Sequence, residues 1–393
     1  MRKVYLDHGA TTPMRDEVIE SIVEIYREIS GNPSSVHQFG RNAKRKLEEA
    51  RVKVAAAIGA DAKEITFTGS GTEADNIAIL GTAHLKAKQG KGKHIITSTI
   101  EHHAVWDTCK ALEKEGFEVT YLPVDEYGLV SVDNVREALR DDTILVTIMH
   151  ANNEVGTIQP IKEIGELLKS HQAVFHTDAI QTVGKIPVNV NDLGVDLLAL
   201  SAHKLYGPKG VGALYIRKGV RLEPVIHGGG QERKIRPGTE NLAGIYGFAT
   251  AIELAVANLD AEAKRLEKLR DKLTTELLQS IPETRLNGHP TQRLPHNANI
   301  SFEYIEGESL ILSLDMKGIA VSSGSACTSG SLDPSHVLMA LGLTHQTAHG
   351  SLRMTLGKDT TEEDIDYVVQ ELKVIVARLR EMSPVWESRC QVN

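Results

Sequence analysis

The sequence predicts an α/β protein: a large domain with a mostly parallel, mixed sheet covered by helices, and a smaller α+β domain beside it. Two observations carry that reading. The first part of the chain repeatedly runs from a short β-branched stretch through a polar or glycine-rich turn into an amphipathic helical segment. That order builds parallel strands with crossover helices. Near residue 255 the pattern gives way to one long charged amphipathic segment over 259–279, followed by shorter strands and a terminal helix. The expected division is 14–257 for the large domain, with 1–13 and 258–393 forming the small one.

The repeats follow in order along the chain. Glu64-Ile65-Thr66-Phe67-Thr68 reads as a strand, with the turn Gly69-Ser70-Gly71-Thr72 after it and a helix from Glu73. His94-Ile95-Ile96-Thr97-Ser98 leads through Glu101-His102-His103 to a helix with Val105, Cys109 and Leu112 on one side. The strand over 143–149 ends at His150 and Asn152-Asn153-Glu154, and that over 173–176 at Thr177-Asp178. The apolar run 195–200 ends at Ser201-Ala202-His203-Lys204. Beyond the boundary, 299–302 reads as a strand and Thr361-Glu362-Glu363-Asp364 as the opening of the last helix. No fixed-period repeat or low-complexity tract interrupts this.

Composition narrows the class. At 393 residues the chain exceeds one compact core, and 41% hydrophobic with 24% charged residues is ordinary for a globular protein. With aromatics at 4%, the core must rest on Ile, Leu, Val and Ala. A formal net charge of −8 argues against a broad nucleic-acid surface, so no direct nucleic-acid binding is expected. No run approaches the roughly 18 apolar residues of a membrane span, and the first residues turn polar before a signal-like stretch develops. Cys109, Cys327 and Cys390 lie far apart without a Cys-x-x-Cys pair, so neither a disulfide framework nor a four-ligand zinc site can be built. A cytoplasmic location is the expectation.

In parallel α/β sheets, ligands bind beyond the carboxyl ends of the strands, which is where these polar clusters fall. The turn at Gly69-Ser70-Gly71-Thr72 before a helix offers unpaired N–H groups to a phosphate. It lacks both the dinucleotide and nucleotide-triphosphate spacings, and a plain turn capped by Thr72 accounts for the segment equally well. Lys204 follows an apolar strand and precedes the rigid Tyr206-Gly207-Pro208-Lys209-Gly210 turn. A lysine desolvated there can form a Schiff base, whereas Lys209 sits where solvent is expected. Asp178 suits a pyridine nitrogen, with a helix N-cap as the alternative. His102 and His103 lack metal-ligand spacing, and a single imidazole stacked on a planar cofactor fits better. Cys327 lies among Ser, Gly, Thr and Ala, a poorly packing run that predicts an exposed, travelling nucleophile. A cluster ligand, transiently binding an iron–sulfur centre, is its rival reading, disfavoured because no second cysteine is near. Cys109 reads as core and Cys390 as a tail thiol.

Six segments together resemble the cysteine desulfurases of the iron–sulfur-cluster and nitrogen-fixation type, within the class-V, fold-type I pyridoxal-phosphate (PLP) enzymes. They are Gly-Ser-Gly-Thr-Glu-Ala-Asp-Asn (69–76), Asn-Asn-Glu-Val-Gly (152–156), His-Thr-Asp-Ala-Ile-Gln (176–181), Ser-Ala-His-Lys-Leu-Tyr-Gly-Pro-Lys-Gly (201–210), Arg-Pro-Gly-Thr-Glu-Asn (236–241) and Ser-Ser-Gly-Ser-Ala-Cys (322–327). The likeness runs from Tyr5-Leu6-Asp7 to 351–357, nearly the whole chain. It implies that L-cysteine is converted to L-alanine, with the sulfur passing to Cys327 as a persulfide. Lys204 would carry the PLP aldehyde, Asp178 pair with the ring nitrogen, Gln181 bond the ring hydroxyl and His102 stack on the ring. Gly71, Thr72, Ser201 and His203 would hold the phosphate, joined by Thr239 of the partner subunit, which makes a homodimer obligatory. Asn153 would lie near cofactor and substrate, Arg353 would grip the substrate carboxylate, and Asn32 would belong to a substrate-side loop. The long Cys327 segment resembles a subgroup that hands sulfur to an iron–sulfur scaffold or a tRNA-thiolation protein. Where the family usually reads Asp-Asn-Ala-Ala-Thr-Thr-Pro, this chain has Asp7-His8-Gly9-Ala10-Thr11-Thr12-Pro13, an imidazole in place of an amide. Selenocysteine lyase and class-V aminotransferase are the neighbouring readings, and a non-catalytic sulfur-transfer scaffold is the reading from another class.

Overall fold

The computed structural model describes residues 2–323, 334–384 and 386. Its strands are β1 (Val4–Tyr5), β2 (Ile65–Thr68), β3 (His94–Ser98), β4 (Glu118–Leu122), β5 (Thr143–Thr147), β6 (Val174–Asp178), β7 (Leu197–Ser201), β8 (Gly212–Ile216), β9 (Thr284–Asn287), β10 (Asn297–Phe302), β11 (Ile319–Ala320) and β12 (Ser351–Thr355). The first eight helices are α1 (Asp16–Glu28), α2 (Gln38–Ala57), α3 (Gly71–Lys88), α4 (His103–Lys114), α5 (Val132–Ala138), α6 (Ile161–Leu168), α7 (Val190–Leu193) and α8 (Leu242–Ala257). The remainder are α9 (Leu259–Ser280), α10 (Gly307–Asp315), α11 (His336–Ala340), α12 (His345–His349) and α13 (Glu362–Glu381).

A seven-stranded sheet runs in the order β2-β8-β7-β6-β5-β3-β4. Only β8 is antiparallel to its neighbours, so the carboxyl ends of β2, β3, β5, β6 and β7 share one edge. Strands β5, β6 and β7 are buried along their whole length between two helical layers, and the polar end of β6, His176 to Asp178, is buried with the rest. One layer includes α2 and α8, over a core with Phe67, Phe175, Tyr215 and Phe248. The other includes α3 and α4 over Ile77, Ile95, Leu145 and Leu214, and takes in Cys109. Each fully buried Leu or Ile there contributes about 1.5–3 kcal/mol.

A second core gathers Val4 and Leu6 with residues from α9, β10, α10, β12 and α13. Here the sheet β12-β10-β9 is antiparallel. Helix α9 buries Leu266, Leu269, Leu273 and Leu277, the three- and four-residue spacing of a one-faced helix, and leaves its charges outside. Thr361 caps α13 in a reciprocal box with Asp364. One segment end differs from the sequence expectation: strand β6 continues through Thr177 to Asp178, because Asp178 still pairs with Ala199 of β7. Strand β8, beyond the turn over 206–210, adds to the expected strands, and Gly212 admits it: a Cβ there would stand 2.6 Å from the Ser70 carbonyl carbon. Among the described residues no single helix is long and apolar enough to cross a membrane.

Candidate active site

One cleft of about 260 Å³ opens at the shared carboxyl edge of the sheet. Gly71, Thr72, His102, Asn153, Asp178, Gln181, Ser201, His203, Lys204 and Arg353 all line it. Strand ends deliver Asp178 and Ser201 directly, and a single 3-10 turn after β7 carries His203 and Lys204. Two expected residues lie elsewhere: Asn32 and Thr239 are exposed on the chain's own surface. Cys327 lies outside the described residues, as does Cys390.

The anion end of the cleft is built by α3. Ser70, not Thr72, caps this helix, accepting from the Glu73 N–H at 3.0 Å, so Thr72 stands within the first turn. First-turn N–H groups have no intrahelical acceptor and carry the positive end of the helix dipole. At Gly71 a Cβ would lie 2.2 Å from Ile180 Cδ1, so any larger residue there would have to displace that side chain. Beside it the Ser201 hydroxyl is buried with no hydrogen-bond partner among the described residues. A buried hydroxyl in that condition is costly unless a ligand engages it.

At the opposite wall, Lys204 Nζ donates to the carbonyls of Gly9 at 2.7 Å and Ala10 at 2.6 Å. Gln181 Nε2 donates to Gly9 O as well, at 3.1 Å. Thr12 ties the same N-terminal segment to the lysine turn through His203 O and the Tyr206 N–H. Gly9 and Ala10 belong to the His8 run, which is expected from the sequence to border the active site, but neither is among the site residues named from it. Their contribution is main-chain oxygen, which residue identity does not announce.

His102 caps α4: its Nδ1 accepts the Ala104 N–H at 3.1 Å, which leaves the ring proton on Nε2. Burial, followed by the nearby Lys204 charge, lowers its pKa to about 4, so the imidazole is neutral at pH 7. Asp178 Oδ1 accepts the Ile180 N–H at 2.9 Å, so the carboxyl also braces the turn after β6. Burial, then Asp75, pushes Asp178 up to about 8, and a cationic N–H facing it would restore its charge. Arg353, on β12, is buried: Nη2 pairs with Asp7 Oδ1 at 3.2 Å and Nη1 donates to Asn153 O at 3.2 Å. Its Nε has no partner among the described residues. The cleft therefore presents an anion site, a carboxyl for a protonated nitrogen, an amine and a guanidinium within one enclosure. No cluster of metal-binding side chains occurs among the described residues.

The class-V aminotransferase family model matches residues 4–368. This chain belongs to that family, in its cysteine desulfurase branch. It is 58% identical to the cysteine desulfurase IscS of Methanosarcina thermophila over 98% of this chain and 94% of that one. Against the cysteine desulfurase IscS of Dictyoglomus turgidum identity is 57%, covering 98% and 97%. Among solved structures, a NifS-like protein superposes with a TM-score of 0.90 at 42% identity, over 96% of this chain and all of that one. A structure of SspA in complex with cysteine superposes at 0.79 and 37% identity, covering 90% and 99%. The class-V members with which it aligns so fully share its α/β architecture.

Proposed function

We propose that this protein is a PLP-dependent cysteine desulfurase that converts L-cysteine to L-alanine and retains the sulfur as a persulfide on Cys327. The observation that carries the reading is the convergence of Lys204, Asp178, His102 and Arg353 on one cleft, in a chain 58% identical to a cysteine desulfurase. The donor set fits the cofactor. Gly71, Thr72, the unpartnered Ser201 hydroxyl and His203 would take the phosphate, and Asp178 the ring nitrogen. Gln181 would take the ring hydroxyl, and His102 would cover the ring face. Residues 14–257 would form the cofactor-binding domain, with 1–13 and 258–393 as the smaller one.

Bound there, PLP supplies an aldehyde for amines and an electron-poor ring that stabilises negative charge on the substrate Cα. Lys204 would hold the cofactor aldehyde covalently, and its amine would take the Cα proton of the bound substrate. Arg353 and Asn153 orient the substrate carboxylate, so that the Cα–H faces Lys204. Asp178 in its ionised form keeps the ring nitrogen protonated. Neutral His102, with its proton on Nε2, can pass that proton to the departing product. The Cys327 thiolate would attack the substrate sulfur: the Cβ–S bond breaks with its electron pair left on the carbon fragment, an S–S bond forms, and protonation of that fragment gives alanine. No external oxidant or reductant enters.

The chain exposes Val36 at 88%, Tyr26 at 73% and Phe39 at 63%, large apolar groups that support a homodimer. In that dimer Thr239 of the partner subunit would complete the phosphate site, and Asn32 would stand beside the substrate. Delivery to an iron–sulfur scaffold or a tRNA-thiolation protein in the cytoplasm completes the proposal. Incubation with L-cysteine under a thiol reductant tests it: equal amounts of sulfide and alanine are expected from the parent. Neither should come from Cys327→Ala. Alanine without sulfide would sink it. A pyridoxyl adduct on the Lys204 peptide after borohydride reduction is the companion result.

A further inference from the structure

Behind Asp178 lies a buried pair that the mechanism above leaves unused. Asp75, on α3, and His176, on β6, are both fully buried, with Asp75 Oδ1 3.4 Å from His176 Nε2. Neither Asp75 oxygen has a hydrogen-bond donor among the described residues, and His176 Nε2 has no hydrogen-bond partner there either. The other ring nitrogen, His176 Nδ1, meets Thr147 Oγ1 at 2.8 Å. His176 and Asp178 stand two residues apart on one strand, so their side chains share a face of the sheet. Helix α3 packs on that strand and brings Asp75 to the same place.

A carboxylate sealed from water without donors is too costly to persist as a lone ion. Burial accordingly holds Asp75 well above the usual carboxylate range and lowers His176 to about 4. One proton therefore serves both groups: Asp75 carboxyl with neutral imidazole, or Asp75 carboxylate with imidazolium. Either arrangement is electrically neutral. The choice between them moves a positive charge toward or away from Asp178. The remaining ionisable groups around Asp178 are Lys204 in the cleft and Glu101, whose carboxyl is already occupied by Ser98 Oγ and the Met149 N–H.

We infer that Asp75 and His176 are positioning residues that share a proton and thereby set the charge Asp178 presents to the ring nitrogen of the bound cofactor. This rests on the PLP reading above. A charge on Asp75 raises the proton affinity of Asp178 and a charge on His176 lowers it, and the shared proton makes the two charges appear and vanish together, so that losing either residue removes both.

The test is a pH titration of the visible absorption of substrate-free holoenzyme, for the parent, Asp75→Asn, His176→Gln and the milder Thr147→Val. Each is loaded with PLP or with an analogue whose ring nitrogen is replaced by carbon. With PLP, Asp75→Asn and His176→Gln should move the midpoint in the same direction by about half a pH unit or more, because either change leaves the remaining member uncharged. Thr147→Val should follow His176→Gln to a smaller extent. With the carbon analogue the differences should vanish, because the group Asp178 addresses is gone. Shifts of opposite sign, no shift in either, or shifts that survive the analogue would overturn the inference. A parent protein that takes up no PLP would overturn the function proposed above, and this inference with it.

Discussion

Gly357 leaves the space that the His8 imidazole fills: a Cβ at 357 would stand 2.0 Å from His8 Nε2. The ring is anchored on its other side, where Nδ1 lies 3.0 Å from Thr355 O, and Tyr5 packs edge-on at 4.9 Å between centroids. Neither partner can retreat cheaply. Gly357→Ala is expected to destabilise the protein by about 1–3 kcal/mol, the usual cost of overpacking. His8→Ala in the same chain should recover most of it, as neighbours in contact couple. Thermal unfolding of the two single variants and the double checks this, and additive effects would refute it.

His150 supplies a pH dependence. It is buried with Nδ1 3.0 Å from Thr182 Oγ1, and burial lowers its pKa to about 4 from an ordinary 6.5. The folded state thus refuses a proton that the unfolded chain accepts between those values. Its stabilising contribution is complete above pH 6.5 and is lost as pH falls toward 4, at up to about 1.4 kcal/mol per pH unit. His150→Gln, which keeps a polar partner for Thr182, should therefore cost stability at pH 7 and progressively less at pH 5. Unfolding curves at both values decide it; a gap that widens toward acid would be the wrong sign.

Arg51 and Glu232 form a buried two-point ion pair at 2.7 and 2.8 Å, and Glu232 also accepts the Phe67 N–H at 2.9 Å. Glu232, Arg233 and Lys234 all have left-handed φ angles of 40°, 55° and 67°, so this pair holds a strained turn just before Thr239. Arg51→Met should cost about 3–5 kcal/mol by stranding the carboxylate. Adding Glu232→Gln should return part of that loss. Chemical unfolding measures both, together with faster proteolysis within 227–240 in the single variant.

The Arg353 guanidinium, proposed to take the substrate carboxylate, is already held by Asp7 and the Asn153 carbonyl. A lysine cannot keep those contacts and grip a carboxylate in two-point fashion. Arg353→Lys is expected to raise KM for L-cysteine roughly 100-fold and leave kcat within a few-fold, the pattern of lost ground-state binding. Initial rates of alanine release would show it. A fall in kcat with KM unchanged would assign Arg353 a different role.

The alternation of apolar runs with Gly- and Ser-rich turns determined the parallel sheet, because strands buried on both faces are built largely from apolar residues. Polar residues at the ends of those runs marked Asp178, Ser201, His203 and Lys204 as neighbours before any coordinates, since parallel strands finish on one edge. What only the tertiary structure decided is main chain and charge. That Lys204 meets the carbonyls of Gly9 and Ala10, nearly 200 positions earlier, depends on how the N-terminal segment docks against the lysine turn. That Asp75 faces His176 Nε2 with no hydrogen-bond donor among the described residues depends on the depth at which α3 packs against β6. Backbone oxygens carry no residue label, and desolvation belongs to an enclosure rather than to a side chain, so neither is written in the sequence.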